Sequence, residues 1–269
     1  MKGNKYMIEL IYVKSIDEIQ DQRDNYLKGL PYSQGLNTEE NVWMCHYYII
    51  QINSSRVGYV CVDSQKTLWE FYLVNNAQIY SQEVFKFLIE MNYIVASESK
   101  SYDNLLMSLC FDYHKKVSCN AYLFRDDTDK KYSTSGFENI KIRLATKADL
   151  KDLEEINRFE ENVDFFFDLE KEIQREEIYI FHSDDELFGA GTCKRICQCL
   201  NYYDIGMIVP EEHRRKGLGT YIILKLKEFC YNDNKIPVCD CYYYNYPSKK
   251  TLEKAGFISK HRMVRFEFK

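Results

Sequence analysis

Ile205-Gly-Met-Ile-Val-Pro-Glu-Glu-His-Arg-Arg-Lys-Gly-Leu-Gly-Thr220 is the stretch on which the reading of this chain turns. An apolar, strand-like run (Ile205, Met207, Ile208, Val209) leads into a short polar turn carrying Arg214, Arg215 and Lys216, then Gly217 and Gly219. A helical pattern follows at once in Leu218, Tyr221, Ile222, Ile223, Leu226, Phe229 and Cys230. Strand, basic glycine turn and helix together make an anion site. The glycines let backbone N–H groups come close to an anion, and the helix N-terminus adds its partial positive charge. Residue order separates this turn from two rivals. A Walker loop needs its Lys-Ser/Thr after the last glycine, and Lys216 precedes both glycines here. A dinucleotide fingerprint needs a third glycine at 222, where Ile222 stands. The plain alternative is an ordinary helix start with a solvated basic patch.

The chain has 269 residues, long for one small α/β domain and about right for two. Hydrophobic residues make up 45%, enough to bury a sizeable core. Acidic residues (41) outnumber basic ones (36), for a net charge of -5. No basic surplus exists to neutralise phosphates over a broad face, which argues against a nucleic-acid partner and permits a cationic amine. The opening MKGNKYMIELIYV has no apolar core of signal-peptide length before Ser15 and Asp17 interrupt it. No run approaches the roughly 20 apolar residues of a membrane span. A cytoplasmic protein without membrane contact is expected, and nothing sets its oligomeric state. The closest cysteine pairs, Cys197-x-Cys199 and Cys239-x-Cys241, lie in strand-like contexts rather than in the C-x₂₋₄-C turns of structural zinc sites. The five histidines are scattered, so no metal site is expected and the cysteines read as free thiols.

Outward from the turn, the second half reads element by element. Ile140–Leu144 alternates as a strand, and Thr146-Lys-Ala-Asp149 resembles a capping box opening a helix through about Asn157. A helical stretch covers about 163–174, Ile178–Phe181 is a strand, and Ser183-Asp-Asp turns into another over Leu187–Cys193. Tyr202–Val209 precedes the glycine turn, helix 217–231 follows, and Val238–Tyr243 is a strand. Pro247 fits the first turn of a short helix that Gly256 stops, and Phe257–Phe268 closes as one or two strands. The first half gives a fainter copy of this order. Strands are expected at 6–13, 45–52, 57–62, 68–74, 93–96 and 121–124, with helices at 16–27, 82–91 and 102–110. Its counterpart of the glycine turn, Asn75-Asn-Ala-Gln-Ile-Tyr-Ser81, has neither arginine nor glycine. A polar linker, Arg125 to Gly136, separates the halves. The first half could instead be an unrelated α/β domain.

Two blocks carry a family resemblance. Arg214-x-x-Gly217-x-Gly219 after a strand, and downstream Asn245-Tyr-Pro-Ser248 with a short helix ending in Gly256-Phe257, resemble the GCN5-related N-acetyltransferases (GNAT). The distance between the blocks leaves room for one helix and one strand, as that fold requires. The resemblance implies an α/β (α+β) fold of two tandem acetyltransferase-like domains, each a mixed, mostly antiparallel sheet flanked by helices. Residues 1–130 would form a degenerate copy and 138–269 the acetyl-CoA-binding domain. It implies acetyl-CoA as cofactor and, as acceptor, a primary amine of a small molecule or peptide attacking directly. The implied cofactor contacts are Met207, Ile208 and Val209 beside the thioester, the turn Arg214, Arg215, Lys216, Gly217, Leu218, Gly219 and Thr220 at the pyrophosphate, and Asn245 and Ser248 at the last helix. The family often draws its base from the strand before the turn, where Asp204 is the candidate; Asp240 is the runner-up. Many relatives place a tyrosine acid seven residues after the asparagine, and Leu252 stands there. Leu252 and the lack of a clear base keep a second reading open, a non-catalytic acyl-CoA-binding sensor or subunit. An enzyme of the same fold using a longer acyl chain or another activated acyl donor is a third.

Overall fold

The computed structural model describes residues 6–126, 136–158, 165–184 and 186–268. In chain order these form β1 (Ile8–Val13), α1 (Gln20–Gly29), α2 (Leu36–Trp43), β2 (His46–Ile52), β3 (Ser55–Val62), β4 (Thr67–Leu73), α3 (Ser81–Glu90), β5 (Ala96–Lys100), α4 (Asn104–Tyr113) and β6 (Lys116–Arg125). There follow β7 (Lys141–Leu144), α5 (Leu150–Arg158), α6 (Leu169–Gln174), β8 (Ile178–His182), β9 (Leu187–Arg195), β10 (Tyr202–Ile208), α7 (Leu218–Asn232), β11 (Ile236–Tyr242), α8 (Tyr246–Lys254) and β12 (Ile258–Glu267). Two compact units result, residues 1–122 with 261–269, and residues 123–260.

In the first unit the strands run β1-β2-β3-β4-β5-β12. All neighbours are antiparallel except β4 and β5. The apolar faces of β4, α3 and α4 meet in a core of Leu68, Phe71, Val84, Phe85 and Leu106, closed by Val264, Phe266 and Phe268 from β12 and its end. A second, ionic cluster is buried beside it. Arg23 donates through Nη1 to Glu39 at 2.9 Å and through Nε to Glu70 at 3.0 Å. Tyr59 donates its hydroxyl to Glu70 at 2.9 Å, and Gln34 donates to Glu39 at 2.6 Å. Burial alone would push the Glu70 carboxyl up, but the Arg23 guanidinium outweighs it and holds the group below its ordinary value. Lys100 is wholly buried, donates to Gln34 at 3.1 Å and lies over the Tyr26 ring.

In the second unit the order is β11-β10-β9-β8-β7, with β6 beside β11; within β11-β10-β9-β8-β7 only β10 and β11 run parallel. Leu153, Ile156, Phe166 and Ile173, from α5, α6 and the segment before α6, pack on one face with Ile180, Ala190 and Ile208. α7 covers the other face closely. A Cβ built on Gly191 of β9 would lie 2.8 Å from Leu226 Cδ1. The expected capping box is present: Thr146 N donates to the Asp149 carboxylate at 2.7 Å, which also takes two hydrogen bonds from Arg143.

Several elements depart from the sequence expectations. The strand foreseen at 93–96 lies instead at 96–100, where Ala-Ser-Glu-Ser-Lys is polar yet buried throughout. α2 falls in a stretch that showed no pattern, because its inward positions include Thr38 and Glu39. The last strand, read as part of a 138–269 domain, pairs with the first unit. Met263–Glu267 match Lys100–Ala96 in antiparallel register, leaving 123–260 as the second unit. Most of the expected linker (127–135), the start of the 163–174 helix and Asp185 of the hairpin turn lie outside the described residues. None of the ten cysteines forms a disulfide.

Candidate functional site

The site begins where β10 and β11 part. Only Tyr202, Tyr203 and Asp204 pair with β11, opposite Ile236, Pro237 and Val238. Against β9, pairing continues through Ile208, opposite Ala190. From Ile205 to Ile208 the backbone edge of β10 on the β11 side is therefore without a strand partner, and a slot opens along it. An extended ligand with amide groups can pair with such an edge. Alternation divides the side chains of β10. Met207 faces α7, 3.7 Å from a Cβ built on Gly219. Asp204, Gly206 and Ile208 face the opposite side, where a Cβ on Gly206 would come 3.1 Å from the Phe165 ring.

At the end of β10 the chain passes through a 3-10 turn, Glu211–His213, and then runs extended at Arg214. Arg215 (φ 63) and Gly217 (φ 89) both take the left-handed conformation, which turns the backbone sharply into α7. Gly217 caps α7 without any side-chain hydrogen bond. Among the described residues no acceptor meets the backbone N–H groups of 215–220; the first satisfied amide is Tyr221 N, on Gly217 O at 3.0 Å. A helix head with its amides open and positive is an anion receptor. Arg215 and Lys216 are exposed beside it, while Arg214 donates from Nε to Val209 O at 2.9 Å and so ties the turn to the end of β10.

α8 approaches the same corner. A Cβ built on Gly219 would lie 3.1 Å from Thr251 Cγ2, so only glycine permits this contact without displacement. Asn245 is exposed and caps α8, its Oδ1 accepting from Ser248 N at 3.1 Å. Gly256 (φ 89) ends the helix. Leu252 is 2% exposed and packed inward, so this position holds an apolar contact and no polar group at the site. Tyr242, Tyr244 and Tyr246 are exposed around the end of β11.

Two carboxylates stand on the face away from α7. Asp204 is opposite Val238 in parallel register, so Val238 and, two residues on, Asp240 project to the face of Asp204. Burial pushes the Asp240 carboxyl up to about 6, with the charge of Arg125 pulling the other way. Cys239 is pushed up by burial and then by the charges of Asp204 and Asp240, which places both acids in one electrostatic neighbourhood. Arg125, read from sequence as the start of a linker, is instead the buried last residue of β6. The apolar run Ala121-Tyr-Leu-Phe leads directly into it and was the available signal. Phe165, read as part of a helix, is a further neighbour that sequence alone did not assign to the site. Among the described residues no group of three or more His, Cys, Asp or Glu side chains could hold a metal, and no helix is long and apolar enough to cross a membrane.

The first unit has the same parting of strands without the receptor. β4 pairs with β5 only at Thr67 and Leu68. The chain then enters a 3-10 turn, Asn75–Tyr80, whose Ala77 N is taken by Val74 O at 2.8 Å.

Comparison with known proteins identifies the family and the fold. A family model described as "Acetyltransferase (GNAT) domain" matches residues 15–127, and one described as "Acetyltransferase (GNAT) family" matches residues 147–257. Among solved structures, an acetyltransferase of the GNAT family from Colwellia psychrerythraea overlays with a TM-score of 0.88 at 21% identity, covering 97% of this chain and 100% of its own. A tandem GNAT protein of the clavulanic acid biosynthesis pathway gives 0.60 at 11% identity, covering 97% and 98%. A GCN5-related N-acetyltransferase from Sphaerobacter thermophilus gives 0.61 at 11%, covering 99% and 96%. At these identities the overlays speak for the fold. No curated protein matches the sequence. With GNAT models covering both halves and GNAT structures overlaying the full length, the chain belongs to the GCN5-related N-acetyltransferase superfamily as two domains in tandem.

Proposed function

We propose that the second unit binds acetyl-CoA and transfers its acetyl group to a primary amine of a small molecule or peptide by direct attack. The observation that carries this reading is the run of open amides at the head of α7 beside the unpaired edge of β10. The residues fit the cofactor. Amides of Arg215–Thr220, with the charges of Arg215 and Lys216, would hold the pyrophosphate. Met207, Ile208 and Val209 would line the pantetheine arm, and Asn245 and Ser248 would contact it from α8. Arg214 would act through Val209, holding the turn against the strand.

The bound cofactor supplies an acyl thioester. The chain must then orient the amine, take its proton and support charge on the carbonyl oxygen. A backbone N–H of Met207–Val209 would serve the oxygen. Asp204 is the candidate base, on the strand that borders the slot. Asp240 is the second candidate, and a carboxyl near 6 is suited to accepting a proton close to neutral pH. No acid is assigned for the departing sulfur, since a thiol of ordinary acidity, near ~8.5, leaves as thiolate unaided.

Calorimetry with acetyl-CoA on wild type and Gly217→Asp tests the site. Wild-type binding lost in the variant is expected; absence of wild-type binding would end the proposal, and equal binding would move it from this turn. The buried Leu252 favours a second reading, a non-catalytic acyl-CoA-binding protein. Release of free CoA across a panel of amines separates the two.

A further inference from the structure

From the cavity beside the head of α7 we infer that the second unit carries a separate pocket for the purine base at the nucleotide end of its cofactor; this rests on the acetyl-CoA reading above. The cavity has a volume of about 350 Å³. Its lining includes Phe137, Asn139, Glu186, Phe188, His213 and Lys216. Small-molecule pockets span roughly 300–1,000 Å³, so this one suits a single ring system rather than a whole cofactor.

Its position sets the direction in which a bound nucleotide runs. Lys216 and Leu218 line the cavity and flank Gly217, so it opens on the uncapped helix head. On the α8 side that head is closed, with Thr251 Cγ2 3.1 Å from a Cβ on Gly219. On the cavity side it is open. A Cβ on Gly217 would meet only the Phe137 ring, at 3.5 Å. A group hanging from a diphosphate at the amides of 215–220, on the side away from β10, is directed here.

The lining matches a base better than the alternatives. Phe137 and Phe188 provide aromatic surface, and a purine has a flat face to stack on it. The Asn139 amide has no partner among the described residues, and an asparagine amide can pair with adenine through two hydrogen bonds on the base edge. Glu186 Oε1 lies 3.2 Å from His213 Nε2 and can take an exocyclic amine proton. Lys216 has no ion pair among the described residues and stands at the mouth, where phosphate oxygens would lie. An acyl tail would leave Asn139 and Glu186 facing hydrocarbon, and a bare inorganic anion would make no use of the two rings.

Titration of the full chain with CoA and with 4′-phosphopantetheine, which lacks the whole 3′-phospho-AMP half and so one phosphate of the diphosphate, tests the inference through the selectivity of the variants. Wild type is expected to bind CoA more tightly. Phe137→Ala should weaken CoA roughly tenfold, the scale of one base–aromatic stack, and leave phosphopantetheine within about twofold. Asn139→Ala should weaken CoA in the same selective way. Equal wild-type affinity for both ligands would overturn the base pocket while leaving the acetyl-CoA reading intact. Equal weakening of both by Phe137→Ala would also overturn it, because the loss would then belong to the helix head. If wild type binds neither ligand, the acetyl-CoA reading itself fails.

Discussion

Replacing Asp240 by Asn should make the protein more stable at pH 8 and leave its stability near pH 4 almost unchanged. The carboxyl moves from its ordinary value of 3.8 to about 6 in the folded chain, chiefly through burial. The folded state therefore holds this proton more tightly than the unfolded chain does. Ionisation opposes folding, with no cost below 3.8 and the full cost above about 6. At 1.36 kcal/mol per pH unit the full cost is on the order of 3 kcal/mol; solvent reaches this half-buried group, so about 1–3 kcal/mol is the working range. Asparagine keeps the shape and removes the charge. Urea unfolding of both proteins between pH 4 and pH 8 measures the difference through the shift in midpoint at constant slope. The gain should grow as pH rises through 4–6 and then level off. A variant that is equally or less stable than wild type at pH 8 would refute the argument. The same protein tests the chemistry: if Asp240 takes the amine proton, acetyl transfer falls by roughly 10²-fold or more, whereas a base at Asp204 leaves most of it.

Other perturbations have defined outcomes. Glu70→Gln removes one partner of Arg23 inside the first unit and should cost about 3–5 kcal/mol by chemical denaturation, since the guanidinium stays buried. Asp149→Ala removes the capping box before α5 and should cost about 1 kcal/mol at pH 7. Hydrogen bonds from Arg143 hold that carboxyl down at about 2, so its contribution is present above the ordinary 3.8 and fades as pH falls toward 2. Leu252→Tyr, which restores the tyrosine of many relatives, should overpack a filled site, lower stability by about 1–3 kcal/mol and leave kcat no higher.

The glycine turn and α8 were legible because their positions need particular residues. The left-handed backbone at 217 and 256 and the cap at 245 all show in the sequence as Gly, Gly and Asn. β5 was not legible. A run of Ser-Glu-Ser-Lys reads as solvent-facing, yet it is buried, with Ser97 bonded to Leu68, Lys100 to Gln34, and Glu98 Oε1 to Asn120 and Arg265. Neither was the nearness of Asp240 to Arg125, because periodicity assigns a residue to a face of its own strand and is silent about which strand lies alongside. The pairing of β12 with β5 was hidden for the same reason.

That pairing has a consequence for the order in which the molecule can be made. Chains emerge from the ribosome at about 5–20 residues per second, and a leading domain usually folds before the next is finished. Here Val264, Phe266 and Phe268 fill the hydrophobic interior of the leading unit, yet the whole of 123–260 is translated ahead of them. Until they arrive, β5 presents an unsheathed edge and the phenylalanine cluster around Phe85 is missing its cover. A nascent chain halted before residue 261 thus carries the whole second unit but an unfinished first one, and chaperone dependence should track translation of the closing strand rather than completion of the opening half.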